Sequence, residues 1–234
     1  MPTARESLLN AALAALAELP WSAVRMVDIA SAAGVSRQTL YNEFGSKEGL
    51  ARALVRREAD AYLRGLDRVL GEGTRPAERL ASVAEWTVGE ARTRPLLRAL
   101  LTGCWGERMP APKPARPDAA MSGVPAQRRA DAAPPAPAEL VVAVRDRLLV
   151  ALDRGSPDRG NRDGRTKEDI ADLTHRCELA ARIALSYVVA PVGAEVGALV
   201  RKAVGGVGNG YPGESHGGSH AGGISATSRT AADR

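Results

Sequence analysis

The stretch VRMVDIASAAGVSRQTLYNEFGSKEGL, Val24–Leu50, carries two short helical patterns on either side of a turn. Gly34 suits the left-handed position just after the first helix. Ser36 is predicted to cap the second helix, because its hydroxyl can accept a backbone N–H from Gln38 or Thr39. The first helix is predicted to bury Val27, Ile29, Ala30 and Ala33. Together these signals predict a helix-turn-helix.

The second helix of this motif is predicted to present a polar face. Leu40 and Phe44, four residues apart, would anchor it to the core. The outward side chains have the chemistry that reads DNA bases and phosphates. We predict base contacts from Arg37, Gln38, Tyr41 and Asn42, and phosphate contacts from Arg25, Ser36, Thr39 and Lys47. Lys47 also begins a helix behind Ser46, where the helix N-terminus favours an anion.

A family resemblance rests on these same residues. Their spacing resembles the N-terminal signature of the tetracycline-repressor (TetR) family of bacterial regulators, which is carried here by Ile29-Ala30, Ala33–Ser36, Thr39–Tyr41, Phe44 and Ser46–Glu48. The resemblance implies an all-α protein that forms a homodimer. It implies a three-helix DNA-binding head with the helix-turn-helix, and a larger helical body of about six helices for ligand binding and dimerisation.

Three positions depart from the family pattern. Arg25 stands where a capping Ser or Thr is usual, and an Arg there could contact a phosphate itself. Gln38 replaces a common Gly. Glu43 replaces a common His and would repel phosphate, so no DNA contact is predicted for it.

Composition narrows the classes of protein. The chain has 234 residues and a formal net charge of +5, which favours a polyanionic partner only weakly. Residues 1–70 contain nine Lys or Arg and eight Asp or Glu, so DNA affinity must come from placed contacts. With neither a membrane span nor a signal peptide visible in the sequence, we expect a cytoplasmic protein. Cys104 and Cys177 are predicted to be reduced, semi-buried residues within helices.

Helical patterns continue through the chain. Thr3 with Glu6, and Thr166 with Asp169, form capping boxes. Trp21 is predicted to pack in the core. A long helix from Lys47 to about Leu70 is predicted to join the head to the body, with its arginines outward. We predict a DNA-binding domain at 1–50, an effector-binding and dimerisation domain at 51–204, a mobile Pro-rich loop at 106–137 and a disordered Gly-rich tail at 205–234.

Two sites are predicted in the body. A stripe of mostly small side chains on the penultimate helix is predicted to form the dimer interface, and the alternative is that it packs within one subunit. The stripe consists of Leu173, Cys177, Ala181, Ala184 and Val188. The effector pocket is predicted to be apolar and lined by Trp86, Leu100, Trp105, Met109 and Tyr187. For each of these, an ordinary core position is the alternative.

The sequence predicts a DNA-binding regulator and not an enzyme. It shows neither a catalytic triad nor a metal-ligand cluster nor a phosphate-binding loop, and no cofactor is expected. His216 and His220 in the tail are too weak a pattern for a metal site. The predicted function is a repressor that a small-molecule effector releases from a palindromic operator. The alternative is a helical interaction protein, or an activator, whose helix-turn-helix is not under ligand control.

Overall fold

A computed structural model describes residues 2–71, 75–113, 133–154, 166–191 and 195–205. Across these ranges every regular element is an α-helix, which confirms the predicted all-α fold class. The helices are α1 (Ala4–Glu18), α2 (Met26–Ala32), α3 (Arg37–Phe44), α4 (Lys47–Gly71), α5 (Pro76–Thr93), α6 (Pro95–Thr102), α7 (Pro137–Arg154), α8 (Lys167–Val189) and α9 (Val196–Gly205). The predicted tail beyond residue 205 and most of the predicted loop, residues 114–132, lie outside the described ranges.

Helix starts agree with the local signals in the sequence. Thr3 and Glu6 form a complete capping box at α1, and Thr166 and Asp169 form one at α8. Pro76 and Pro95 occupy the first turns of α5 and α6, where the missing N–H of proline costs no helical hydrogen bond.

The head consists of α1, α2 and α3 packed around a small apolar core. Leu8, Ile29, Leu40 and Phe44 are each at most 2 % exposed, and burial of such side chains stabilises by roughly 1.5–3 kcal/mol apiece. The prediction that Val27 is buried is wrong, since its side chain is 38 % exposed. Helix α2 is only seven residues long, so its buried face is narrow and Ile29 and Ala30 fill it.

Helix α4 joins the head to the body. Leu50 and Leu54 are buried near its start, and Tyr62 and Leu66 are buried further along. The predicted outward arginine set is wrong at Arg52, which is 4 % exposed and donates from Nη1 to the backbone carbonyl of Lys113 at 3.0 Å. A long aliphatic stem lets an arginine cross an apolar layer while its head finds a polar partner.

The body packs α5 against α8 and α9, and α8 also packs against α7. Arg94 ties α4 to the end of α5, because its guanidinium lies 2.9 Å from Glu58 and 2.7 Å from Glu90. The prediction that Cys104 is semi-buried within a helix is wrong. Helix α6 ends at Thr102, Gly103 adopts φ +71°, and the Cys104 side chain is exposed. Cys177 is buried.

Buried residues of head and body form one continuous apolar cluster, from Leu8 in α1 to Val204 in α9. Because the cluster has no break near residue 50, the predicted boundary between the DNA-binding domain and the body stays a prediction. Among the described helices, none combines the length and apolarity that crossing a membrane requires.

Candidate nucleic-acid interface

The turn between α2 and α3 has the geometry that the sequence predicts. Gly34 adopts φ +67°, which is the left-handed conformation that glycine accepts without strain. Its N–H donates to the carbonyl of Ser31 at 3.1 Å, and the N–H of Val35 donates to that of Ala30 at 3.0 Å. These two bonds form a Schellman motif that satisfies the end of α2.

Ser36 caps α3 as predicted. Its Oγ accepts the backbone N–H of Thr39 at 3.0 Å and lies 2.9 Å from the Thr39 hydroxyl. Leu40 is fully buried and Phe44 is 1 % exposed, so the face of α3 that carries them packs into the apolar core of the head. The cap and the two anchors fix both the start and the rotation of this helix.

The predicted base-reading residues are all exposed on the outer face of α3. Arg37, Gln38 and Asn42 are solvent-exposed, and Tyr41 is 37 % exposed. The Gln38 amide donates to Asn42 Oδ1 at 2.8 Å, which orients both amides. Such a pair offers donors and acceptors to base edges in a major groove.

Both predicted phosphate-binding cations, Arg25 and Lys47, have partners in the protein. Arg25 forms two hydrogen bonds to Asp28, at 2.9 and 3.1 Å, although it remains 72 % exposed. This pairing raises the pKa of Arg25 and lowers that of Asp28. Arg25 stands at the start of α2 but makes no side-chain cap hydrogen bond to it.

Lys47 lies at the start of α4, beside the cap of that helix. Ser46 Oγ accepts the backbone N–H of Gly49 at 3.1 Å. The Lys47 ammonium donates to the carbonyl of Ser22 at 3.3 Å and lies 5.1 Å from the Trp21 ring centroid. Partial burial lowers the pKa of Lys47. The ring therefore orients an ammonium at a helix N-terminus, where anions are favoured.

Trp21 packs against the core as predicted, and it also connects the head to the body. Its backbone N–H donates to the carbonyl of Arg108 at 3.0 Å. Sequence reasoning missed this contact, because the two residues are far apart in the chain and both atoms belong to the backbone, which carries no sequence signature.

Sequence reasoning also missed Arg5, which pairs with Glu43. Arg5 Nη1 lies 3.1 Å from Glu43 Oε2. The prediction treated Glu43 only as a source of repulsion, whereas its charge is balanced inside the head.

A small cavity lies between α4, α5, α7 and α8. Tyr62, Thr87, Leu140 and Ala184 are among its lining residues, and its volume is about 20 Å³, which is room for one water molecule. The Tyr62 and Thr87 hydroxyls lie 3.1 Å apart in this apolar setting, and burial raises the pKa of Tyr62 to about 12.

The five predicted effector-pocket residues do not line this cavity. Leu100 and Tyr187 are buried in the core, and Trp105 and Met109 are half-buried against it. Trp86 contacts a residue that does line the cavity, because its ring stacks on that of Tyr62 with centroids 5.4 Å apart. The prediction relied on aromatic content, whereas the observed cavity is walled mostly by aliphatic side chains.

The predicted dimer stripe packs largely within the subunit, which is the alternative that the sequence left open. Cys177, Ala181, Ala184 and Val188 are each at most 8 % exposed in the single chain, and Leu173 is half-buried against the core. These small side chains let α8 approach α5 and α7, so the stripe itself has little surface left for a second copy. The described residues also contain no group of three or more His, Cys, Asp or Glu placed to hold a metal.

Known proteins match this head. The family model described as "Bacterial regulatory proteins, tetR family" matches residues 8–54. The HTH-type transcriptional regulator AlkX of Mycobacterium tuberculosis (strain ATCC 25618 / H37Rv) is 52 % identical over 56 residues, 24 % of this chain and 26 % of AlkX. The uncharacterized HTH-type transcriptional regulator Rv1255c of the same strain is 35 % identical over 99 residues, 42 % of this chain and 49 % of that protein.

These alignments therefore span about half or less of the curated relatives' own length. Among solved structures, the TetR family repressor AlkX from Dietzia sp. strain DQ12-45-1b is 21 % identical, with a TM-score of 0.49 over 85 % of this chain and 92 % of that one. The family match covers α2, α3 and the turn between them, which form the interface described above. Over residues 8–54, the chain is therefore similar to the tetR family of bacterial regulatory proteins.

Proposed function

We propose that this protein is a sequence-specific DNA-binding transcriptional regulator, and that a small effector releases it from a palindromic operator. The observation that carries the proposal is the outer face of α3. Arg37, Gln38 and Asn42 are exposed there, while the cap at Ser36 and the buried Leu40 and Phe44 hold the helix in place. A rigid polar helix face of this kind can read bases with little entropy lost on binding.

The roles divide between base readout and phosphate anchoring. Arg37, Gln38, Tyr41 and Asn42 read base edges, and Arg25, Ser36, Thr39 and Lys47 hold the phosphates. The exposure of the first set and the helix-end positions of Ser36 and Lys47 support this division. Residues 1–50 act as the DNA-binding domain, and residues 51–204 as the body.

The regulator acts as a homodimer, because one head offers few base contacts. In such proteins two heads read half-sites about one helical turn (~34 Å) apart. The surface we propose for the second copy is the exposed apolar part of α8 and α9. Val189 is 59 % exposed and Leu199 is 42 % exposed, and the two helices pack on each other.

The effector site is the cavity beside Tyr62 and Thr87. A ligand pocket typically has ~300–1,000 Å³, so a volume of about 20 Å³ means that α4, α5, α7 and α8 must separate before an effector enters. The aliphatic walls favour an apolar ligand, and the two hydroxyls offer one polar contact. Because α4 forms one wall and continues into the head, such a separation moves the DNA-binding face.

Selection of bound sequences from random double-stranded DNA tests the function. We expect a palindrome with two half-sites, bound with an affinity that falls steeply as salt rises. If no sequence is enriched and no salt-dependent binding is found, the proposal is wrong and the helical interaction protein becomes the better interpretation. Gene expression with the operator upstream separates repression from activation.

Two variants test the division of roles on the selected operator. Asn42→Ala is expected to lose roughly 1–3 kcal/mol of binding free energy on the operator and little on random DNA. Lys47→Ala should weaken both and lower the salt slope by about 1. Equal losses on both DNAs for both variants would show that the division is incorrect.

A further inference from the structure

Arg5 on α1 contacts the end of the recognition helix α3 in three ways. Its Nη1 donates to the Glu43 carboxylate at 3.1 Å and to the Glu43 backbone carbonyl at 3.2 Å. Its guanidinium carbon lies 4.7 Å from the centroid of the Phe44 ring. Both charged side chains are about a quarter exposed, 26 % for Arg5 and 27 % for Glu43.

These contacts fall where α3 lacks internal bonds. The carbonyl of Glu43 belongs to the last turn, whose carbonyls have no backbone N–H donor within the helix. A cation there is also favoured by the helix dipole. Since α3 has only eight residues, it depends on contacts from outside to keep its shape and position.

The same contacts lie directly behind the DNA-reading face. Glu43 follows Asn42 in the chain, and Phe44 is the buried anchor of the helix. Arg5 itself is set in the first turn of α1, which the capping box of Thr3 and Glu6 holds rigid. If α3 moved along its axis or rotated about it, the two hydrogen bonds from Arg5 to Glu43 would break.

We propose that Arg5 and Glu43 form a positioning pair that sets the placement of α3 and thereby the DNA sequence that the head selects. The pair acts through Asn42 and its neighbours and touches no base itself. This inference rests on the proposed function as a DNA-binding regulator.

A competing interpretation predicts different behaviour. If Arg5 served as a phosphate contact, its removal would weaken binding to every DNA sequence and lower the salt slope by about 1. If Glu43 only repelled phosphate, its removal would tighten binding to every sequence. Neither change would alter the ratio of operator affinity to random-DNA affinity, whereas misplacement of α3 lowers that ratio.

The experiment measures this ratio for the wild type, Arg5→Ala, Glu43→Ala and the double variant, over a series of salt concentrations. The DNAs are the operator obtained by selection and a random duplex of equal length. We expect each single variant to lower the ratio roughly 3- to 10-fold, a loss typical of partly exposed ion pairs with an added ring contact. The double variant should lose no more than Arg5→Ala alone, because that substitution already removes the ion pair that Glu43→Ala removes.

Two results would overturn the pairing: ratios that stay within three-fold of the wild type, or losses that multiply in the double variant. Circular dichroism and thermal unfolding establish that each head is folded. If Arg5→Ala unfolds, the near-isosteric Glu43→Gln keeps the test open, since it removes the charge and is expected to lower the ratio as well.

Arg147→Ala is the matched control. Arg147 likewise contacts a carboxylate and a backbone carbonyl, Asp67 and Ala143, both at 3.3 Å, but it lies in the body on α7. Its ratio should equal that of the wild type. A wild type without salt-dependent operator binding would refute the proposed function itself, whereas normal binding with unchanged ratios refutes only the positioning pair.

Discussion

At Gly49 a single hydrogen atom in place of a side chain decides how closely α3 and α4 approach. A Cβ built at this position would lie 2.0 Å from the Phe44 carbonyl oxygen. That oxygen is part of the backbone and accepts the N–H of Ser46 at 2.7 Å. The turn that leads from α3 into α4 therefore requires glycine at this position.

Gly49→Ala is expected to destabilise the protein by about 1–3 kcal/mol, because the backbone of the turn must move to admit the methyl group. Gly89→Ala is the control, since that position lies inside α5 with nothing within 4 Å of the added Cβ. It should stabilise by about 0.5–1 kcal/mol, the usual gain of alanine over glycine in a helix. Urea denaturation of both variants measures the difference, and a stabilised Gly49→Ala protein would contradict the proposed packing.

The two cysteines are expected to differ sharply in reactivity. Cys104 is exposed, whereas Cys177 is buried and its burial raises the pKa of its thiol to about 12. Only the thiolate reacts with a disulfide reagent, so one thiol per folded chain should react quickly at pH 8, and the second only in urea. Cys104→Ser should abolish the fast reaction, and a fast reaction that persists in this variant would contradict the burial of Cys177.

The raised pKa of Cys177 also has a consequence for stability. The folded chain keeps the proton that an unfolded cysteine releases near pH 9, so this contribution is complete below pH 9 and is lost as the pH rises towards 12. Tyr62 acts in the same direction from pH 10 upward.

Among the elements, α3 depends most on its boundaries. It has eight residues, begins at the Ser36 cap and ends at Gly45, which adopts φ +69°. Arg37 and Gln38 lie in its first turn, so fraying at this end would disorder the start of the proposed DNA-reading face.

Ser36→Ala is expected to cost about 0.5–2 kcal/mol of stability, because the N–H of Thr39 loses its acceptor. It should also weaken operator binding. Thr166→Ala removes an equivalent cap from α8 in the body, so it should cost similar stability and leave DNA affinity unchanged. Thermal unfolding and a DNA-binding titration check both effects, and equal affinity losses in the two variants would argue against a local role for the cap.

At the scale of the whole molecule, head and body share one apolar cluster and are joined by specific polar contacts. Helix α4 contributes buried residues to the head and to the body, and the backbone N–H of Trp21 donates a hydrogen bond to the carbonyl of Arg108. A movement in the body would therefore have two routes to the head: along α4, and through Trp21, which also contacts Lys47.

The proposed dimer is tested by charging its apolar surface. Val189→Arg with Leu199→Arg should convert a dimer to a monomer, because two cations would face their copies across the interface. Val142→Arg is the control, since the exposure of Val142, 44 %, is close to the 42 % of Leu199, but Val142 lies on α7. Light scattering after size-exclusion chromatography gives the mass, and a dimer that survives the double substitution would place the interface elsewhere.

The sequence by itself determined the features that involve neighbours in the chain. The caps at Thr3, Ser36 and Thr166 and the turn at Gly34 are as predicted, because their hydrogen bonds join residues three to five positions apart. The anchors Leu40 and Phe44 were predictable for the same reason, since helical periodicity places them on one face.

Only the tertiary structure decided which partners meet across long separations. Arg5 reaches Glu43 over 38 positions, and Arg52 reaches the carbonyl of Lys113 over 61. The stripe on α8 is compatible with a dimer interface or with internal packing, and in the single chain four of its five residues are buried. Periodicity tells which side chains share a face, but the element that covers that face depends on how distant segments of the chain come together.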